Sequence, residues 1–370
     1  MNISFCLFNI CIIKLPLCIQ YTKTLFGVCV LKSVLKVTFA YLAAVIGAGF
    51  ASGSEVVLYF IRYGKISIIG IALTAVGFGL VIYNVLVACL CNNINSFESL
   101  AKRFLTQKQA SIINIIMVVF MVIMIGAMIS AFSEMVWQLF EINKRISSVI
   151  FALVCAYVIV LPGESIIKWG GYIGLFIVVF ICLSCVYMIN FRTVKVFSPM
   201  TSMSLSAGVY TAYNAFAVLP VVCKASECMK TKKECRQAGM LSALFSFLSL
   251  LLIWSLIMIY YGKIDLGAMP MLTLAARQGT WFKNLYAVIV IAAVLSSAVA
   301  NSYGIYLKLD KTLKTSYKKI ILSILPGWLV ASMSFTYIVD KLYRIIGFIS
   351  IVIIGYILIK IKKNDDNQRK

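Results

Sequence analysis

Long apolar runs separated by short polar breaks recur along almost the whole chain. Of its 370 residues, 62% are hydrophobic and only 12% are charged, and the mean hydropathy is +1.00. Soluble globular chains average about 45–50% apolar and about 25% charged residues. A run of about 20 apolar residues crosses a bilayer as a helix, because lipid offers an exposed backbone no hydrogen-bond partner. The pattern predicts an all-α, polytopic membrane protein and excludes a disordered chain, a coiled coil and an ordinary soluble enzyme.

Ten runs are long enough to predict ten transmembrane helices, numbered here as spans 1 to 10. They lie at residues 34–62, 65–91, 110–136, 147–163, 166–190, 204–223, 237–261, 281–306, 317–338 and 341–360. Ten spans place both termini on the same side of the membrane. About two thirds of the 34 lysines and arginines then fall on that side. Because cytoplasmic loops carry the excess of basic residues, we expect both termini in the cytoplasm.

The net charge of +22 and the absence of histidine narrow the function further. In a soluble protein such a charge would suggest nucleic acid, but here the bases lie in short loops, so we expect no nucleic-acid partner. Without histidine, Ser-His-Asp and Cys-His catalysis and histidine-ligated metals are excluded. Most of the 12 cysteines lie in apolar runs, where cysteine packs as a small hydrophobe. We therefore expect no cofactor and no transition-metal site.

Span 1 contains three glycines, two serines and a glutamate within nine residues, from Gly47 to Glu55. Glycine in a helix interior costs about 1 kcal/mol relative to alanine, and a carboxylate at mid-bilayer costs roughly 3 kcal/mol. One explanation is close helix packing through Gly49-x-x-x-Gly53, which accounts for the glycines but not for Glu55. The segment therefore predicts a discontinuous helix that lines a polar cavity.

A discontinuous helix exposes backbone groups that can bind ions. Free carbonyls at the end of the first half-helix suit a cation, and free N–H groups at the start of the second suit a carboxylate. The adjacent hydroxyls of Ser296 and Ser297 in span 8 could complete an oxygen cage for a small cation. Helix packing is the alternative explanation for these two serines.

Span 6 is the second candidate for a discontinuous helix. Tyr210, Thr211, Tyr213 and Asn214 cluster at its centre, and Pro220 cannot continue the hydrogen-bond ladder. The alternative is an ordinary span with a proline kink. Spans 1 and 6 open two five-span halves, and interrupted helices at corresponding positions indicate a transporter site.

Two halves of five spans each must have opposite orientations in the membrane. The sequence thus predicts a first five-helix repeat at residues 30–190 and a second, inverted repeat at residues 204–360. Residues 361–370 form a charged cytoplasmic tail. Residues 1–29 form an N-terminal extension, either at the membrane surface or upstream of the true start.

The segment Gly47-Ala48-Gly49-Phe50-Ala51-Ser52-Gly53-Ser54-Glu55 resembles the signature of the YkvI-like bacterial membrane proteins, which usually reads G-A-G-F-A-S-G-Q-E. The Tyr213-Asn214 pair and the serine pair in span 8 also resemble that family. The resemblance covers roughly residues 30–360, and Ser54 is the one departure within the signature. The family is itself similar to the amino acid–polyamine–cation superfamily, which has the LeuT-type fold.

The resemblance implies ten helices in a 5+5 inverted repeat, with discontinuous helices 1 and 6 and a site between spans 1, 3, 6 and 8. It implies that backbone N–H groups of Ala48 and Gly49 bind the substrate carboxylate. The implied substrate-binding residues are Gly47, Ala48, Gly49, Glu55, Tyr213 and Asn214. A sodium ion would be held by carbonyls of Ala43, Ile46 and Ala293 and hydroxyls of Ser296 and Ser297. A second sodium site should be absent, because Phe50 stands where relatives have asparagine.

The leading functional hypothesis is a cation-coupled secondary active transporter of a small zwitterion such as an amino acid. Sodium or protons would drive it, in the plasma membrane of a bacterium, with lipid and the solute as partners. Glu55 could titrate, pair with a substrate amine or hold the unwound loop. The alternative function is a transporter-fold sensor that binds a small molecule without moving it. An enzyme is not expected, because no paired carboxylates are visible near mid-membrane.

Overall fold

A computed structural model describes residues 33–160, 163–188, 203–263, 265–310, 313 and 315–369. All regular secondary structure within these ranges is helical. The predicted N-terminal extension, residues 1–29, lies outside them. The helices are α1 (Ser33–Val45), α2 (Ala48–Ser52), α3 (Ser54–Tyr59), α4 (Ser67–Asn92), α5 (Phe97–Phe104), α6 (Gln107–Phe140), α7 (Lys144–Ile159), α8 (Gly163–Met188), α9 (Met203–Ala225), α10 (Lys232–Tyr260), α11 (Pro270–Ala276), α12 (Thr280–Asp310), α13 (Ser316–Val330), α14 (Phe335–Tyr337) and α15 (Tyr343–Arg369).

The described helices include six that are long and apolar enough to cross a membrane. They are Ile61–Asn92, Gln107–Phe140, Leu205–Cys228, Lys232–Tyr260, Thr280–Leu309 and Phe335–Asn364. A helix also occurs at each of the other predicted span positions, among them the apolar segments Ser33–Val45 and Phe176–Met188. The structure thus confirms an all-helical membrane protein, and the count of ten spans stays a prediction.

Large apolar side chains cover the outer surface of the helices. Val352 is 71% exposed and Leu153 is 65% exposed, as expected for side chains that face lipid tails. Inside, small residues let helix backbones approach each other. A Cβ atom placed on Gly79 of α4 would lie 3.0 Å from the carbonyl oxygen of Gly239 of α10. Close backbone contacts of this kind hold helices together in lipid, where the hydrophobic effect does not drive their association.

Two groups of helices enclose the short segments α2 and α3. In one group, α4 packs against α9 and α10, and α9 packs against α15. In the other, α12 packs against α6, α8 and α13. Helix α2 contacts α6, α11 and α12, whereas α3 contacts α9 and α10. The segment with the unusual glycines therefore lies in the protein interior, between the two groups.

The predicted break in span 6 is wrong, because α9 is continuous from Met203 to Ala225 with Pro220 inside it. Two of its polar side chains bond to their own helix. Thr211 Oγ1 donates to the Ala207 carbonyl at 2.7 Å, and Asn214 Nδ2 donates to the Tyr210 carbonyl at 3.1 Å. These bonds satisfy the polar groups without unwinding the backbone.

Candidate functional site

The interruption predicted in span 1 is present. Helix α1 ends at Val45, and α2 begins at Ala48. Between them the Gly47 N–H donates to the Val45 carbonyl at 2.9 Å instead of reaching back a full helical turn. A second interruption follows at Gly53, whose φ of 78° lies in the left-handed region that favours glycine. Three helical pieces thus replace one continuous span.

Side chains satisfy backbone carbonyls around the second interruption. The hydroxyls of Ser52 and Ser54 both donate to the Gly49 carbonyl, at 3.2 and 3.4 Å. From α12, the Tyr286 hydroxyl donates to the Ala51 carbonyl at 2.8 Å. Ser54, the departure from the family signature, therefore contributes to the geometry of the loop.

Glu55 lies in the first turn of α3 and is only 4% exposed. Its side chain folds back over Gly49, so that a methyl group added at Gly49 would overlap the Glu55 carboxyl group. Position 49 therefore has to be glycine for Glu55 to adopt this conformation. The protein places its own carboxylate beside the backbone of α2.

Four tyrosines from three helices surround this region, and we call them the tyrosine cluster: Tyr59, Tyr210, Tyr213 and Tyr343. Each is at most 1% exposed. The ring centroids of Tyr59 and Tyr210 are 5.4 Å apart, those of Tyr210 and Tyr213 are 5.5 Å apart, and those of Tyr213 and Tyr343 are 5.2 Å apart. These separations are typical of packed aromatic pairs.

Glu55 and the tyrosine cluster together hold several buried polar atoms that lack hydrogen-bond partners. Among the described residues, Glu55 Oε2 and all four tyrosine hydroxyls have no hydrogen-bond partner. The Tyr210 and Tyr213 hydroxyls lie near the Glu55 carboxyl group without reaching hydrogen-bond geometry. Burying an unpaired polar group costs about 1–3 kcal/mol in proteins, and polar groups inside a membrane protein mark functional sites. Five such groups in one place indicate a ligand site.

The other predicted substrate-binding residues lie around the same break. Gly47 is the residue before α2, and Ala48 is its first, fully buried residue. Tyr213 belongs to the tyrosine cluster. Asn214 is buried next to it, but its side-chain amide is bonded to the Tyr210 carbonyl. The structure therefore brings Gly47, Ala48, Gly49, Glu55 and Tyr213 to one region, with Asn214 at its edge.

The predicted cation ligands are only partly brought together. A Cβ atom on Gly47 would lie 3.9 Å from Ser297 Oγ, so Ser297 faces the first interruption. Ser296 Oγ instead donates to the Ala293 carbonyl of its own helix at 3.0 Å. Ile46 is buried at the interruption and Ala43 is half-buried on α1.

Sequence reasoning missed Tyr59, Tyr210 and Tyr343 as site residues, although Tyr210 belongs to the polar group noted in span 6. Tyr59 follows Glu55 by four positions on the same helix, and this spacing places the two side chains on one face. That signal was available in the sequence. Tyr343 follows a π-helical turn, Ile338–Leu342, and no local pattern connects it to Glu55. Such turns occur frequently at functional sites.

A separate cavity of about 340 Å³ lies between α4, α9 and α15. Its lining is almost entirely apolar and includes Leu73, Gly77, Ala207 and Ile354. It does not include Glu55 or the tyrosine cluster, so it is not the candidate site.

The fold defines the structural class of this protein. It is similar to that of Mhp1 in the inward-facing conformation, with a TM-score of 0.64 and 13% identity over 88% of this chain and 74% of Mhp1. It is also similar to Mhp1, a nucleobase-cation-symport-1 family transporter, in a closed conformation with bromovinylhydantoin bound, with a TM-score of 0.59 and 13% identity over 83% of this chain and 74% of Mhp1. The chain thus has the LeuT-type fold, as predicted.

In sequence, the chain is similar to the "Uncharacterized membrane protein YkvI" of Bacillus subtilis (strain 168). The two are 22% identical over 341 residues, which cover 89% of this chain and 96% of YkvI. No family model matches the chain. The resemblance predicted from the glycine-rich signature is therefore confirmed.

Proposed function

We propose that this protein is a cation-coupled secondary active transporter of a small zwitterionic solute such as an amino acid. The observation that carries the proposal is Glu55, a buried carboxyl group beside an interrupted helix with one oxygen unpartnered among the described residues. An ionisable group is retained inside a membrane protein mainly where it binds a substrate or an ion. Interrupted helices at mid-membrane are typical of the sites of secondary transporters.

The coupling cation binds where Ser297 faces the first interruption. The full set proposed for sodium is the carbonyls of Ala43, Ile46 and Ala293 with the hydroxyls of Ser296 and Ser297. The 3.9 Å separation between Ser297 Oγ and a Cβ position on Gly47 supports this site, because it places a hydroxyl beside the free end of α1. Protons are the alternative coupling ion, and the gradient experiment below separates the two.

Transport proceeds by alternating access between two groups of helices. Two inverted five-helix repeats, at residues 30–190 and 204–360, give ten spans with both termini in the bacterial cytoplasm. The moving bundle consists of the interrupted helix, α4, α9 and α10. The packing of α4 on α9 and α10, and of α3 on the same two helices, supports such a unit. The packing of α12 on α6, α8 and α13 supports a second unit, against which the moving bundle shifts.

Accumulation in proteoliposomes tests the proposal. Vesicles that contain the purified protein are given radiolabelled amino acids under an inward sodium gradient, an inward proton gradient or no gradient. We expect one gradient to drive accumulation above the external concentration, and Glu55→Gln to abolish it. Glu227→Gln is the matched control, because this exposed carboxylate pairs with Lys224 in a loop. Binding without accumulation under either gradient would contradict transport and favour a sensor.

A further inference from the structure

We infer that Glu55 and the tyrosine cluster bind the ammonium group of the solute, and that the site accepts primary amines that lack a carboxylate. This inference rests on the proposed function and names the group that the site recognises. Of the roles considered for Glu55, it selects pairing with an amine.

The first argument is charge. Among the described residues no lysine or arginine forms an ion pair with Glu55, and Arg344, beside Tyr343, is bonded to Asp340 at 2.9 Å. When ionised, Glu55 therefore gives the candidate site a net negative charge. Its carboxyl group lies over Gly49, where the resemblance implies a substrate carboxylate. Two carboxylates at that place would repel each other, whereas a cation would be attracted.

The second argument is hydrogen bonding. A primary ammonium group has three N–H donors and no acceptor. In the part of the chain that the structure describes, Glu55 Oε2 and the hydroxyl oxygens of the tyrosine cluster are five potential acceptors without partners. A bound ammonium group would supply donors to up to three of these buried atoms, and hydrogen bonds to charged groups are the stronger kind.

The third argument separates an organic cation from a metal ion. The rings of the tyrosine cluster pack on one another near Glu55, and aromatic faces attract organic ammonium groups. A sodium ion requires a shell of several oxygens, and two carbonyls of the interrupted span already accept hydrogen bonds from side chains. Gly49 O accepts from two serines and Ala51 O accepts from Tyr286. The surroundings of Glu55 therefore fit an amine better than a bare ion.

A binding series with matched ligands tests the inference on the full-length purified protein. Thermal unfolding is measured with three zwitterions, glycine, leucine and phenylalanine. It is then measured with their decarboxylated amines, methylamine, isoamylamine and phenethylamine, and with their deaminated acids, acetate, 4-methylpentanoate and 3-phenylpropanoate. We expect at least one amine to raise the unfolding temperature while its matching acid does not.

Two pairs of variants locate the effect. Glu55→Gln keeps the shape of the side chain but removes its charge, and it should weaken amine binding at least about tenfold, whereas Glu227→Gln should not. Tyr213→Phe should weaken binding more than Tyr337→Phe, since Tyr337 is 49% exposed. Without ligand, Glu55→Gln should unfold at no lower a temperature than the wild type, because Glu55 Oε2 bonds to none of the described groups.

Several outcomes would overturn the inference. It fails if no amine stabilises the wild type, if acids stabilise it instead, or if Glu55→Gln binds amines as tightly as the wild type. It also fails if sodium alone gives the same Glu55-dependent stabilisation. Amine binding without accumulation in vesicles would leave this inference standing while contradicting transport, so the two proposals fail separately.

Discussion

At the scale of single residues, Gly49 and Glu55 occupy one small volume. The Glu55 side chain lies where a Cβ atom on Gly49 would be. The glycine is therefore required by a neighbour six positions along the chain, and not only by backbone flexibility. Because Glu55 is the charged group of the candidate site, its position depends on the absence of a side chain at Gly49.

A double-mutant cycle checks this dependence. Gly49→Ala should destabilise the protein by about 1–3 kcal/mol, because the methyl group displaces Glu55. In a Glu55→Ala background the same substitution should cost less, with a coupling energy of at least about 1 kcal/mol. The larger Gly49→Leu should abolish solute binding.

The readout of the cycle is thermal unfolding of the purified protein. Gly208→Ala in α9 is the control, because no neighbouring atom lies within 4 Å of its Cβ position. Removing this glycine from a helix interior should stabilise the protein slightly. Equal costs of Gly49→Ala in both backgrounds would mean that the two residues do not interact.

The serine pair of α12 gives a second prediction at this scale. Ser297→Ala should raise the sodium concentration required for half-maximal uptake about tenfold, because its hydroxyl faces the interruption. Ser296→Ala should have a smaller effect, since its hydroxyl donates to the Ala293 carbonyl. Uptake measured over a sodium series checks both variants. Unchanged sodium dependence in the double variant would rule out this cation site.

At the scale of elements, the interrupted span and α9 both contain polar residues in an apolar run, but only the first is broken. The interrupted span has glycines that remove side-chain packing, and it receives hydrogen bonds from Ser52, Ser54 and Tyr286. In α9, Thr211 and Asn214 bond to carbonyls of their own helix, and the helix stays intact. Side chains bond to carbonyls of their own span in both elements, so polar residues do not by themselves predict a break. The interrupted span differs in its glycines and in the bond from Tyr286 of α12.

Tyr286→Phe tests the support that α12 gives to the interrupted span. The variant keeps the ring and removes the hydrogen bond to the Ala51 carbonyl, which should cost about 1–2 kcal/mol. Backbone amides of residues 47–55 should also exchange with deuterium faster. Mass spectrometry of exchanged peptides provides the measurement, with Tyr317→Phe at an exposed position as control. Exchange as slow as in the wild type would show that the bond does not hold the loop.

The part of this site that the sequence predicted is the part marked by residues close together in the chain. The glycines and Glu55 lie within nine residues of one apolar run, and together they predicted where the interruption occurs. Tyr343 could not be predicted, because it reaches the site only through the packing of α15 on α9. The continuity of α9 could not be predicted either. It depends on which acceptor each polar side chain finds, and hydropathy does not contain that information.

At the scale of the whole molecule, hydropathy predicted the fold class well. In lipid, backbone groups must be hydrogen-bonded within the protein, and a long apolar run meets this condition as a helix. Helices occur at all ten predicted span positions, and their ends differ by several residues. Helix α13, for example, ends at Val330 although span 9 was predicted to reach residue 338. Orientation in the membrane follows from the basic residues alone and stays a prediction.

Cysteine labelling checks the orientation. In a chain without its native cysteines, Lys263→Cys should react with a membrane-impermeant maleimide on intact cells. Lys230→Cys should react only after permeabilisation, because its loop belongs to the basic, cytoplasmic side. The reverse pattern would place both termini outside.

The tyrosine cluster draws its four rings from α3, α9 and α15. A guest held among these rings would act as a spacer whose diameter sets how closely the three helices can approach. Small ammonium ions would let the rings close behind them. Bulky quaternary ions would push the helices apart, so the proposed amine site would convert an oversized relative of its ligand into a blocker.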